Sequence, residues 1–176
     1  MYKLMVIDDE QIIREGIINA VISSKTGFEV AGQAANGKQA LEVMPDLMPD
    51  LIITDICMPW LNGIDFIENA KSLNPDLKVL IVSGYDDFVY AQKALRLGVS
   101  DYILKPVQTE KLRSILNRVK EELDTRGNLL RDIDDLRKQV QINLPVIRER
   151  FFRELIAGEV KPAEMTQRLH KLGLAI

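Results

Sequence analysis

Five short apolar runs, almost free of polar alternation, are separated by stretches of helical period, and a parallel sheet covered on both faces is the fold that accommodates this rhythm. The runs are Leu4-Met5-Val6-Ile7, Val30 to Ala34, Leu51-Ile52-Ile53, Val79-Leu80-Ile81-Val82 and Tyr102-Ile103-Leu104. A strand with one wet face alternates apolar and polar residues, whereas these segments mostly do not. Between them lie apolar stripes at helical spacing: Ile13, Ile17, Ala20 and Val21; Ala40, Leu41 and Met44; Ile67, Ala70 and Leu73; Phe88, Ala91 and Leu95. Asn74-Pro75 ends the third helix, and Gly98 suits the left-handed position after the fourth. The expected fold is α/β, a doubly wound five-stranded parallel sheet of flavodoxin-like order 2-1-3-4-5, followed by a long coiled-coil helix and a short helical pair.

In such a sheet the first and third strands flank the switch point, and ligands bind outside the carboxyl ends of the strands. Those two strands run into Asp8-Asp9 and Asp55, the fourth ends in Ser83 and the fifth in Lys105. The edge strand ends in Gln33-Ala34-Ala35, with no comparable chemistry. Taken singly, each residue has a plain explanation: an aspartate as helix cap, Ser83-Gly84 as a turn, Lys105-Pro106 as a solvated strand end. Their coincidence at four strand ends favours a shared site.

A hard cation such as Mg²⁺ takes carboxylate oxygens together with waters and phosphate oxygens. Asp9 and Asp55, with Asp8 alongside, supply such carboxylates, and a divalent cation relieves the cost of ionising crowded acids. Asp55 is then the nucleophile that accepts a phosphoryl group as an acyl phosphate. Lys105 brings a positive charge to the phosphoryl oxygens, and Ser83 brings a hydroxyl donor.

Composition excludes several other classes. With a single cysteine, Cys57, the chain has no intrachain disulfide and no thiol-rich metal site, and its single histidine, His170, lies far from the acids. No apolar run approaches the roughly 20 residues of a membrane helix, and no secretory leader precedes the first strand, so a cytoplasmic location with no membrane partner is expected. Residues 1 to 106 hold 9 Lys+Arg against 15 Asp+Glu, and residues 107 to 176 hold 14 against 11. That acidic front half and diffusely basic tail leave no nucleic-acid footprint of their own.

After Pro106 a long charged helix is expected. Leu112, Leu116, Val119, Leu123, Leu130, Ile133 and Val140 follow steps of four and three, with Arg126 and Arg137 interrupting the seam. A shifted frame through Leu129, Ile133, Leu136 and Val140 fits the second half, with a stutter near Gly127. Leu112 to Val119 should pack on the sheet, and beyond about residue 122 the stripe favours a coiled-coil dimer. Pro145 is expected to break the helix, with short helices then at Val146 to Ala157 and Pro162 to Leu172. The expected organisation is a globular domain over 1–122, a coiled-coil linker over 123–144 and a helical linker segment over 145–176. The last helices lack the basic recognition face of a helix-turn-helix.

Asp8-Asp9, Asp55 followed by Met58-Pro59 and Gly63, Ser83-Gly84, and Tyr102-Ile103-Leu104-Lys105-Pro106 stand in the order and spacing of a bacterial response-regulator receiver domain, which the first 120 or so residues resemble. The resemblance implies that Asp55 is the phosphoacceptor from a sensor histidine kinase. It implies that Asp8, Asp9, Asp55 and the backbone carbonyl of Cys57 bind Mg²⁺, that Ser83 moves toward the phosphoryl group, and that Tyr102 changes rotamer with it. It also implies a frequently cis Lys105-Pro106 bond, aiming the lysine into the pocket. Cys57 and Tyr85 stand where the family varies and tunes phosphoryl lifetime.

The stretch Ser83 to Phe88 with Ala91 to Lys105, and the tail Arg148 to Leu174, are similar to the YesN-like group with AraC-type DNA-binding output. The expectation is a transcription regulator that contacts DNA only through a region following Ile176. It would form a homodimer through the coiled coil, with the receiver as a further candidate surface. Two alternatives differ in kind. A Mg²⁺-dependent aspartyl phosphatase resembles an Asp-x-Asp pattern, and here Cys57 replaces the second acid, so no enzymatic turnover is expected. A phosphorylation-independent dimerisation module predicts no modification at Asp55.

Overall fold

The structure, a computed structural model, describes residues 1–84, 88–157, 164, 165, 167 and 169. Five parallel strands, β1 (Tyr2–Ile7), β2 (Phe28–Ala34), β3 (Leu51–Thr54), β4 (Lys78–Ser83) and β5 (Asp101–Leu104), form one sheet of order β2-β1-β3-β4-β5. They alternate with α1 (Gln11–Ser24), α2 (Gly37–Leu47), α3 (Gly63–Leu73) and α4 (Phe88–Arg96), and α5 (Thr109–Ile156) follows β5. This is the flavodoxin-like doubly wound fold expected from the apolar runs.

Successive strand residues point to opposite faces, so each unbroken apolar run serves two cores. Met5, Ile7, Ile52, Val79 and Ile81 pack with Ala40, Met44, Phe66, Ile67 and Ala70 on one side. Leu4, Val6, Leu51, Ile53, Leu80, Val82 and Ile103 pack with Ile17, Val21, Leu112, Leu116 and Val119 on the other. Thus α2, α3 and α4 cover one face while α1 and the first turns of α5 cover the other.

Two helix stripes differ from expectation. On α3 the buried residues are Ile64, Phe66, Ile67 and Ala70, while Leu73 in the last turn is exposed. On α4 Ala94 is buried and Leu95 exposed. A small residue suits the contact of α4 with the core, and the larger leucine next to it turns outward.

Local chemistry sets the helix ends. The Asn36 side chain accepts from Gln39 N and that of Asn62 from Asp65 N, each at 2.9 Å, capping α2 and α3. Asn74 caps the end of α3, and Gly98 has φ of 64°, the left-handed conformation glycine favours.

The helix does not break at Pro145. It continues through that residue to Ile156, a 48-residue element. Proline deletes the hydrogen bond that an amide there would give the Gln141 carbonyl. Gln141 is exposed, which leaves water to solvate that carbonyl. Residues 158–163 lie outside the described set, as do most of the residues expected to form the Pro162–Leu172 helix. The chain divides into two compact units, Met1–Leu123 and Asp124–Ile176, the boundary falling inside α5.

Candidate functional site

Main-chain pairing carries on past the strand ends and fixes three charged residues around one crevice. Asp55 N donates to Ile7 O at 2.9 Å, Asp8 N to Ala34 O at 3.2 Å, and Lys105 N to Ser83 O at 2.8 Å. Each bond extends the sheet by one step, so the side chains that follow are held by the rigid sheet rather than by loops.

Asp55 is 5% exposed and its two oxygens have different partners. Oδ1 accepts from Ile56 N at 2.6 Å and from Cys57 N at 3.3 Å. Oδ2 accepts from the Lys105 ammonium at 2.6 Å. Asp8 is fully buried. Its Oδ1 accepts from Glu10 N at 2.9 Å, and among the described residues its Oδ2 meets no donor other than the Lys105 ammonium, 2.8 Å away. Glu10 lies on the rim, 3.9 Å from the same ammonium.

Burial pushes the Asp8 carboxyl above its ordinary value of 3.8, and the neighbouring Asp55 charge adds to this; the Lys105 ammonium and the Glu10 amide offset only part of it. Burial alone would lower the Lys105 ammonium, but its hydrogen bonds and charge interactions with Asp55 and Asp8 outweigh burial and raise it above 10.5. The lysine is therefore held as a cation between two acids.

One carboxylate oxygen from each of Asp8, Asp9 and Asp55 lies within 4.8 Å of the others, with Asp9 exposed at the mouth. Three hard oxygen donors, one of them an otherwise unpartnered buried oxygen, fit a divalent cation of the Mg²⁺ type. Ser83 is fully buried as the last residue of β4, and half-buried Tyr102 packs from β5 against the core on the α2–α4 side. Cys57 is exposed in the loop after Asp55. The Lys105-Pro106 bond is cis. Tyr85 lies outside the described residues.

The loop after Asp55 closes on itself through Gly63 N donating to Ile56 O at 2.8 Å. A Cβ on Gly63 would stand 2.8 Å from Ile56 Cα and clash with the Asp55 carbonyl oxygen. Glycine is required there by close approach, not by its dihedral angles.

Sequence reasoning overlooked Arg14, whose Nη1 donates to the Asp8 carbonyl at 2.6 Å and whose Nε donates to Gln33 Oε1 at 2.9 Å. It ties the β1–α1 turn to the end of β2. Its place in the first turn of α1 was the available signal, and an arginine there reads equally well as solvated surface.

A crevice of acids and one lysine at the switch point of a 2-1-3-4-5 sheet defines a signalling receiver. Residues 4–117 match the response regulator receiver domain family, and the chain belongs to that family. It is the receiver domain of a two-component response regulator. Among curated proteins, the chain is 29% identical to the uncharacterized transcriptional regulatory protein YesN of Bacillus subtilis, covering 90% of this chain and 43% of that protein. It is 33% identical to the transcriptional regulatory protein HptR of Staphylococcus aureus, covering 95% of this chain and 66% of HptR. The chain thus spans less than two thirds of the length of these relatives. Among solved structures, the REC domain of AraT, a response regulator from Geobacillus stearothermophilus, superposes with a TM-score of 0.67 at 36% identity, covering 72% of this chain and 98% of that one. A receiver domain protein from Clostridium thermocellum gives 0.64 at 30% identity, covering 74% and 99%.

Proposed function

We propose that Asp55 accepts a phosphoryl group from the phosphohistidine of a sensor histidine kinase. The observation that carries this reading is the grouping of Asp55 with the Lys105 ammonium at 2.6 Å and with the oxygens of Asp8 and Asp9 within 4.8 Å. An Asp55 carboxylate oxygen attacks phosphorus, the P–N bond to the donor imidazole breaks, and the electron pair leaves with the imidazole nitrogen. The product is an acyl phosphate on Asp55. The Ile56 and Cys57 amides orient the carboxylate through Oδ1. Lys105 transfers its hydrogen bond from the carboxylate to a phosphoryl oxygen, and the Ser83 hydroxyl donates to another. Asp8, Asp9, Asp55 and the Cys57 carbonyl would hold Mg²⁺, which supplies positive charge to the phosphoryl oxygens.

Ser83 and Tyr102 relay the modification to α4, β5 and α5, biasing a two-state equilibrium. The output is transcriptional: the relatives named as transcriptional regulators are longer than this chain, and an AraC-type region C-terminal to it would contact DNA. Homodimerisation runs through α5, whose Leu129, Leu130, Ile133 and Leu136 are between 44% and 61% exposed. No helix among the described residues is long and apolar enough to cross a membrane, in keeping with a cytoplasmic site of action.

Intact mass after incubation with acetyl phosphate and Mg²⁺ tests this function. One phosphoryl adduct is expected on the wild-type chain and none on Asp55→Ala. No adduct under conditions that modify a control receiver would leave a phosphorylation-independent dimerisation module in its place.

A further inference from the structure

We infer that α5 from Asp124 to Ile147 is one strand of a parallel, in-register two-stranded coiled coil set in the Leu129 frame, its partner a second copy of this chain. The inference rests on the dimer reading above and adds orientation, register and the pairing charges.

Two frames compete for the same exposed face. A strict continuation of the stripe that packs on the sheet (Leu112, Leu116, Val119) places Arg126 and Arg137 in the seam beside Leu130 and Ile133. It also leaves Leu129 and Leu136 at flanking positions. The alternative places Leu129 and Leu136 at d, with Ile133, Val140 and Ile147 at a. β-Branched residues at a with leucine at d are the combination that favours parallel two-stranded coils. Leu129, Ile133, Leu136 and Ile147 are all exposed in the single chain. Arg126 at the first a position and Asn143 at d interrupt the seam, and the apolar seam ends at Ile147, because Arg150 at the next d and Glu154 at the next a are charged. The Arg126 stem can lie along the seam while its head extends outward.

Charge selects the same frame and the same direction. In the Leu129 frame Asp132 falls at g and Arg137 at e of the following heptad. In a parallel in-register dimer g of one strand faces e of the other, so Asp132 meets Arg137 of the second copy twice by symmetry. An antiparallel arrangement brings g to g and e to e, so Asp132 no longer faces Arg137. In the competing frame g is Leu129 and Leu136, and no such charge pair exists. Among the described residues Arg137 makes a long contact with Asp134, 3.9 Å, with both side chains largely in water. That contact is compatible with a further partner. Pro145 falls at f, the outermost position, where a missing amide leaves the seam untouched.

The test is charge reversal read by sedimentation equilibrium on the full chain, with disulfide trapping as a second readout. Asp132→Arg and Arg137→Asp should each weaken self-association about tenfold, since both symmetric pairs pass from attraction to repulsion. The double variant Asp132→Arg/Arg137→Asp should recover wild-type association, because the g to e pairs are restored with their signs exchanged. In an antiparallel coil Asp132 does not face Arg137, so the two substitutions would not compensate. A double variant that associates no better than the single variants, or single variants that associate as wild type, would overturn the orientation. In a Cys57→Ser background, Leu129→Cys and Leu136→Cys should each cross-link to their own mates faster than Leu130→Cys. Faster trapping at Leu130→Cys would overturn the frame. A chain monomeric at every concentration would overturn the dimer reading itself, while leaving phosphorylation of Asp55 to its own mass measurement.

Discussion

Lys105 Nζ stands 2.6 Å from Asp55 Oδ2, the carboxylate oxygen that the Ile56 and Cys57 amides leave open. The same ammonium is 2.8 Å from Asp8 Oδ2, so one cation neutralises two buried acids donated by different strands. The stability of the resting state and the proposed phosphoryl transfer therefore share one residue. Removing the lysine should impair both.

Lys105→Ala would leave Asp8 and Asp55 buried without their shared counter-charge. Breaking one side of a buried ion pair costs ~3–5 kcal/mol, because the remaining charge stays desolvated. Urea denaturation of the metal-free protein should show a loss of that size, and Mg²⁺ should restore part of it by replacing the missing positive charge. Phosphorylation by acetyl phosphate should slow as well. A Lys105→Ala chain as stable as wild type without Mg²⁺ would mean that the acids are not held ionised by this lysine.

Asp8 gives a pH signature. Its carboxyl is raised above 3.8, so folding favours its protonated form. The associated stability is fully present below 3.8 and is lost as pH rises through the folded-state value. Asp8→Asn should therefore match or exceed wild type in metal-free stability at neutral pH, and lose that advantage near pH 4. Mg²⁺ should act in the opposite direction. At about ten times its dissociation constant it adds about 1.4 kcal/mol to the wild type, less in acid where protons compete, and little to Asp8→Asn. Thermal melts across pH with and without Mg²⁺ check both halves, and equal Mg²⁺ stabilisation of the two proteins would remove Asp8 from the metal site.

The sheet and its crevice were legible in the sequence because the apolar runs mostly lacked polar alternation and four of the five ended in a charged or hydroxyl residue, the edge strand being the exception. Asp8, Asp55, Ser83 and Lys105 all follow from that one pattern. Arg14 did not, because its partners are main-chain and edge-strand groups that sequence spacing does not mark. Leu95 and Leu73 were misassigned because periodicity counts hydrophobic residues without knowing how close a helix approaches the core. Pro145 misled because a proline's cost is weighed against the rest of a long helix, and one lost hydrogen bond on an exposed face did not end it.

Gly63→Ala tests the tight loop behind Asp55. The added Cβ would stand 2.8 Å from Ile56 Cα and overlap the Asp55 carbonyl oxygen, both of them backbone. Neither can rotate away as a side chain would. Overpacking of this kind costs ~1–3 kcal/mol, and here it displaces the main chain that orients Asp55. The variant should unfold at lower urea and accept phosphate more slowly than wild type. Wild-type stability in this variant would show that the loop has room that the backbone does not display.

Pro145→Ala tests the continuous helix. If α5 runs unbroken to Ile156, alanine restores the amide that can bond the Gln141 carbonyl, and a helix-interior proline is about 3 kcal/mol less favourable than alanine. The substitution should raise amide protection over the turns around residue 145 and strengthen self-association, because a firmer helix presents Ile147 in line with Leu136 and Ile133. Hydrogen exchange resolved to short peptides reads the first effect and sedimentation the second. A chain that breaks at Pro145 would respond differently: with no helical bond to restore there, protection would stay unchanged and the segment after Pro145 would contribute nothing to association.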